Sequence, residues 1–165
     1  MLTPEEGDKL WQKIGDIKTA MLTTRGGDEY GHSFMHARPM SIVQDEFDGA
    51  LWFFTDERSE KVDEIEQHPQ VCCTFCDEET QTYVSLTGYA TINNNPKKID
   101  AYWNAFVSAY FPKGKHDSAT SLMRVAVYKA EIWDADTSQM KQLFQIAKAN
   151  LLHEYPDLGD HLRLG

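Results

Sequence analysis

The spacing of apolar residues changes period repeatedly along the chain, and each change marks an element. Leu10, Trp11 and Ile14 recur at helical spacing behind Thr3, Pro4 and Glu6, a capping box with proline in the first turn, so the chain opens on a short helix. Apolar and β-branched residues thicken over residues 17–24. Arg25-Gly26-Gly27-Asp28 then supplies a turn before a second extended run over residues 30–43, the pattern of a hairpin. After a polar turn at residues 45–49, Ala50-Leu51-Trp52-Phe53-Phe54-Thr55 is aromatic and apolar on both alternations, as in a strand buried on both faces. Ser59 heads a helix with Glu60 and Asp63 in its first turn, Val62 and Ile65 on one face, and Pro69 past its end.

Residues 71–76 and 82–92 read as another hairpin around the acidic turn Asp77-Glu78-Glu79. Asn95-Pro96 opens a helix on which Ile99, Tyr102, Trp103, Phe106 and Tyr110 share an aromatic face. A Pro/Gly/Lys-bearing loop over residues 111–119 precedes the last strand signal, at residues 122–128 and 130–133. A C-terminal helical segment is expected over about 137–165, with Met140, Leu143, Phe144 and Ala147 on one face. Six or so strands, helices inserted between hairpins and no regular βαβ alternation predict a mainly β fold: an antiparallel barrel with flanking helices.

The length of 165 residues suits a single domain over residues 1–165, and no apolar run reaches the ~20 residues that span a bilayer. A formal charge of −10 argues against nucleic acid and anionic membranes as partners, so an anionic ligand needs a local cationic site. The start Met1-Leu2-Thr3-Pro4-Glu5-Glu6 has neither the basic nor the apolar stretch of a secretory signal. Cys72, Cys73 and Cys76 crowd into one segment and make a poor disulfide framework; a reducing, cytoplasmic setting is the expectation. Nor do these cysteines suggest a metal site, since no second pair follows and successive strand residues face opposite ways. No metal ligand and no catalytic residue is assigned.

Two segments carry candidate chemistry. In His36-Ala37-Arg38-Pro39-Met40, a guanidinium in a strand-like run offers a fork of donors to a phosphate or carbonyl oxygen, although standing alone it would read first as an exposed strand arginine. The six histidines are scattered, and His36, beside Arg38, is the one singled out. In the second segment, residues 52–62, a strand passes through a tight loop into a helix start, where unpaired backbone N–H groups favour an anion. Thr55 and Ser59 add hydroxyls and Lys61 a charge; an ordinary capped helix with a solvated Lys61 fits the same residues. Trp133 reads first as a core or interface residue.

Taken in order and spacing, several short pieces resemble one family, the pyridoxamine 5′-phosphate oxidase-like FMN-binding split barrels, and within it the general stress protein branch. They are His36-Ala37-Arg38-Pro39-Met40, Phe54-Thr55 with Ser59-Glu60-Lys61-Val62, Tyr83-Val84-Ser85-Leu86-Thr87-Gly88, Tyr102-Trp103-Asn104, Tyr110-Phe111-Pro112 and Leu122-Met123-Arg124-Val125. The resemblance implies a six-stranded antiparallel split barrel, a homodimer, and FMN in grooves between the subunits, FAD being the variant cofactor. It assigns flavin contacts to Arg38, Lys61, Thr55 and Ser59, the backbone along the ring to Pro39 and Met40, ring-pocket roles to Phe54 and Tyr83, and a contact from the partner subunit to Trp133.

Three departures bear on function. Glu60 stands where the oxidases have a cation, which implies weaker FMN binding; Tyr83 stands where they have a glutamine. Asp134-Ala135-Asp136-Thr137 replaces their Arg-Leu-His-Asp-Arg stretch, and two acids cannot hold a phosphate of roughly −1.5 to −2 charge. The resemblance therefore implies an FMN-dependent oxidoreductase acting on a small-molecule redox substrate other than pyridoxamine phosphate. A flavin carrier or redox-sensing stress protein without turnover is the alternative, and haem or deazaflavin in the same groove a third.

Overall fold

The computed structural model describes residues 2–134 and 160–165. Among the described residues, four helices and seven strands follow in the order α1 (Pro4–Ile14), β1 (Thr19–Gly27), β2 (Ser33–Ser41), β3 (Ala50–Asp56), α2 (Glu60–Gln67), β4 (Gln70–Asp77), β5 (Thr82–Asn93), α3 (Pro96–Tyr102), α4 (Ala105–Tyr110), β6 (Thr120–Asp134) and β7 (Asp160–Leu164). All strand pairs are antiparallel, in the order β2-β1-β4-β5-β6-β3. β6 is long enough to serve two strands on one edge: β3 pairs with residues 120–126 and β7 with residues 130–134. The sheet does not close; this is a split barrel. Its two ends are held together beyond the ladders, where Val43 N–H donates to the Trp52 carbonyl at 3.0 Å. The fully buried Gln44 side chain bridges the same ends, donating to the Ala50 carbonyl (2.6 Å) and accepting from Trp52 N–H (2.7 Å).

The predicted capping box is present: Thr3 Oγ1 accepts from Glu6 N–H and Glu6 Oε2 from Thr3 N–H. β1 runs three residues further than its pattern suggests, through Arg25-Gly26-Gly27, and the turn falls at residues 28–32, where Asp28 accepts from the Tyr30 and His32 N–H groups. β3 is buried on both faces for a simple reason. Leu51 and Phe53 enter the main core with Leu10, Leu22, Leu86 and Met123, whereas Trp52 and Phe54 enter a second cluster roofed by Ile99 and Val107 of α3 and α4.

Three further elements differ from the sequence reading. The aromatic helix after Pro96 is two helices, because Asn104 adopts extended geometry and accepts from Val107 N–H at 2.9 Å, starting a new N-terminus. The break turns Phe106 and Tyr110 outward rather than into the core. The last strand signal is one unbroken strand, β6, in which Tyr128 is an extra residue opposite the Thr87/Gly88 step of β5. Gly88 is required there: a Cβ would lie 2.6 Å from Val125 Cγ1 and 2.7 Å from the Ala126 carbonyl oxygen. Finally, residues 160–164 of the expected C-terminal helix form strand β7 instead; Met140, Leu143, Phe144 and Ala147 lie outside the described residues.

Candidate functional site

A cavity of about 650 Å³ opens between the ends of β2 and β3, the start of α2, and the α4 segment. Pro39, Met40, Phe54, Thr55 and Lys61, five of the residues singled out in the sequence, line it together. Its far wall is apolar and aromatic, built from Phe106, Val107, Tyr110 and Phe111. Sequence periodicity missed this wall because it treats α3 and α4 as one helix; the signal that could have revealed it is Asn104, a capping residue directly ahead of Ala105-Phe106-Val107.

Polar character is concentrated at the α2 end. Ser59 is the N-cap by backbone geometry, yet its Oγ turns back to donate to the Asp56 carbonyl at 2.6 Å, so no side chain caps the helix. Glu60 and Lys61 N–H groups consequently have no acceptor among the described residues. Lys61 Nζ donates to Ser59 Oγ at 3.0 Å and makes no ion pair with a carboxylate among the described residues. Burial, and after it the nearby Arg38 charge, lower the Lys61 ammonium below the ordinary lysine value, against weaker opposing pulls from Asp56 and Glu64. A half-buried cation without its counter-ion, beside open backbone donors, is a site for an anion.

The other cations nearby are already committed. Arg58 forks onto Asp56, with Nε to Oδ1 at 3.0 Å and Nη2 to Oδ2 at 2.8 Å, and these bonds pull the Asp56 carboxyl down to about 2. Arg38 is not the free cation its sequence context suggests. Its Nη1 donates to Thr24 Oγ1 at 2.6 Å and its Nη2 to Glu64 Oε2 at 2.8 Å, and Thr24 donates in turn to the same Glu64 oxygen. Glu64 is only 6% exposed. Burial pushes its carboxyl up, but the bonds from Thr24 and Arg38 together with the Arg38 charge outweigh this and hold it below the ordinary value. Arg38 does not line the cavity.

Tyr83 and Trp133 are elsewhere. Directly paired across β5 and β6, they line a second groove of about 570 Å³ with Met21, Cys76 and Ser85. Thr19 lines both hollows. Trp133 is 39% exposed and stacks on the His161 ring of β7, centroids 4.9 Å apart and planes 10° from parallel. Asp134, the first acid past Trp133, pairs with Lys13 of α1 and accepts from Thr82 Oγ1 at 3.0 Å, so it ties the barrel to the first helix.

Solved structures agree with this architecture. A Jannaschia sp. CCS1 protein of the general stress protein 26 type superposes with a TM-score of 0.74 at 24% identity, over 98% of this chain and 99% of that one. The general stress FMN/FAD binding protein of Xanthomonas citri superposes with a TM-score of 0.66 at 29% identity, over 80% of this chain and 90% of that one. Among curated proteins, the Neurospora crassa protein bli-3 is 26% identical over 165 residues, which is 93% of this chain and 74% of the relative. The family described as pyridoxamine 5′-phosphate oxidase like matches residues 5–157, nearly the whole barrel including every residue that lines the Lys61 cavity. The chain belongs to the pyridoxamine 5′-phosphate oxidase-like family.

Proposed function

We propose that this protein binds FMN in the Lys61 cavity and is an oxidoreductase working as a homodimer. The observation that carries the proposal is the pairing of an uncompensated, half-buried Lys61 and uncapped α2 N–H groups with an apolar slot of about 650 Å³. That volume falls within the range of small-molecule sites, and the slot joins one anionic locus to a flat apolar body, the two halves of a flavin nucleotide. Lys61, Thr55 and the Glu60 and Lys61 N–H groups would hold the phosphate; Pro39, Met40 and Phe54 would pack on the ring and exclude water. FAD, sharing the flavin and first phosphate, is the second ligand to test.

When bound, the flavin supplies hydride and electron transfer, so the protein need only bind, orient and shield. This fits a site in which no acid–base pair is assigned among the described residues. The outward Tyr83 and Trp133, with Met21 and Met35, support the dimeric reading, in which a partner's aromatic groove completes the pocket. The engagement of Asp134 with Lys13 and Thr82 favours a substrate without a phosphate at that position, and pyridoxamine phosphate turnover is expected to be absent. The same engagement also fits a flavin carrier or redox sensor with no turnover.

The test is an absorbance and fluorescence titration of apoprotein with FMN and FAD, beside Lys61→Ala. Losing one charge-assisted set of phosphate bonds costs roughly 1.5–3 kcal/mol, a ten- to hundredfold loss of affinity. Equal affinity in the variant would remove Lys61 from the site, and failure of the parent to bind either flavin would end the proposal. Reduction of bound flavin by a nicotinamide donor faster than free FMN separates the oxidoreductase from the carrier.

A further inference from the structure

Beside the Arg38–Glu64 pair, and not among the residues that line the cavity, lies a cluster whose side chains the flavin reading does not use. We infer that His36, Glu60 and Glu64 form a binding site for a divalent transition-metal ion of the zinc class. Their ligand atoms, one imidazole nitrogen and two carboxylate oxygens, all lie within 4.8 Å of one another. Glu60 and Glu64 are one turn apart on α2 and share a face; His36 approaches from β2.

Two atoms make this more than an acidic cluster. Glu64 Oε2 is saturated by Thr24 and Arg38, but Glu64 Oε1, in a side chain 6% exposed, has no hydrogen-bond partner. His36 Nδ1 is likewise buried and unpartnered. An unmet buried acceptor costs about 1–3 kcal/mol, and here two such atoms face each other at 3.5 Å, beyond an ordinary N–H···O bond. That separation has a natural meaning. Two ligands of a tetrahedral zinc, with Zn–N and Zn–O near 2.0–2.2 Å, stand about 3.4 Å apart. A cation between Nδ1 and Oε1 would have both within ligand range, and a Glu60 carboxylate oxygen within 4.8 Å of each would supply the third ligand. A water would complete the fourth.

The donor set selects the metal. One imidazole and two carboxylates suit zinc and neighbouring first-row ions better than calcium or magnesium, which take oxygen ligands. Glu60 and Glu64 bring two negative charges toward the ion, one of them shared with the Arg38 ion pair, and Arg38 keeps the second Glu64 oxygen oriented, as a hydrogen-bonded partner does for many metal-binding carboxylates. The site does not depend on flavin binding, so its test is made on apoprotein.

Protein stripped with chelator is titrated with Zn²⁺ alone, in parallel with His36→Gln and Glu60→Gln, reading bound metal by equilibrium dialysis and the thermal midpoint at each metal concentration. One equivalent bound by the parent, a rise in its midpoint, and affinity at least about tenfold weaker in both variants are expected; removing even a group that only orients a ligand costs 10–100-fold. Glu60 is exposed and Glu60→Gln alters no thiol, so this variant stays folded and any difference from the parent excludes the cysteines as the binding site. Absence of a stoichiometric site in the parent overturns the inference, and so does parent-like affinity in either variant.

Discussion

Arg38 separates two accounts of this protein, one from family likeness and one from geometry, and they predict opposite phenotypes for Arg38→Ala. If Arg38 is mainly a flavin contact, apoprotein stability is unchanged. In the structure its guanidinium is 18% exposed and forms an ion pair with a 6% exposed glutamate. Removing one partner of a buried pair costs about 3–5 kcal/mol because the other charge is stranded; partial water access at Arg38 brings the expectation to about 2–4 kcal/mol. The loss has a definite pH dependence. In the parent, the lowered Glu64 carboxyl contributes stability above its ordinary value of 4.5, a contribution lost as pH falls through the folded value. In the variant that carboxyl rises instead, so destabilisation is greatest at neutral pH and shrinks as acid protonates Glu64. Arg38→Met with Glu64→Gln, which leaves no buried charge, recovers most of the loss. Urea unfolding of flavin-free protein at several pH values measures all of this. An Arg38→Ala apoprotein within about 0.5 kcal/mol of the parent at neutral pH, the scale of ordinary surface changes, refutes the reasoning.

Three further outcomes follow from the geometry. Gly88→Ala drives a methyl into Val125 and the Ala126 carbonyl and is expected to cost about 1–3 kcal/mol in urea unfolding; a neutral result would mean the bulge shifts freely. Asn104→Ala removes the α4 cap, costing about 1 kcal/mol, and, by loosening the Phe106–Tyr110 wall, also weakens FMN binding in a fluorescence titration, whereas a stability loss with unchanged affinity would place that wall outside the ligand site. Trp133→Asp puts a charge into the exposed aromatic groove; sedimentation velocity should show monomer, with FMN released in step, and a monomer that retains flavin would uncouple the two.

Much of the barrel was legible because its signals are local. The unbroken apolar run of β3 announced burial on both faces, and both hairpins declared themselves by turns between extended runs. What was not legible depends on pairing at a distance. Glu64 looks like any helix glutamate until the β1–β2 register sets Thr24 against His36 and Leu22 against Arg38, which brings a hydroxyl, an imidazole and a guanidinium to one carboxylate. Sequence marked Arg38 correctly as unusual in a strand but could not supply its partner 26 residues on. At the C-terminus, Asp160-His161-Leu162-Arg163-Leu164 is too short and polar to read as a strand; only the free lower edge of β6 makes it one.

That edge gives β7 an importance beyond its five residues. It covers β6 between Ala130 and Asp134, buries Leu164, and joins the start of the fold to its end, since Gly165 N–H donates to Glu6 Oε1 of the first helix at 3.2 Å. A cut ahead of residue 160 would leave a bare row of backbone donors and acceptors next to the Trp133 groove, the kind of edge on which another chain can build. Trimming by a protease would then change how this protein associates before it changed how it folds, and samples that differ only in their last few residues should differ first in aggregation.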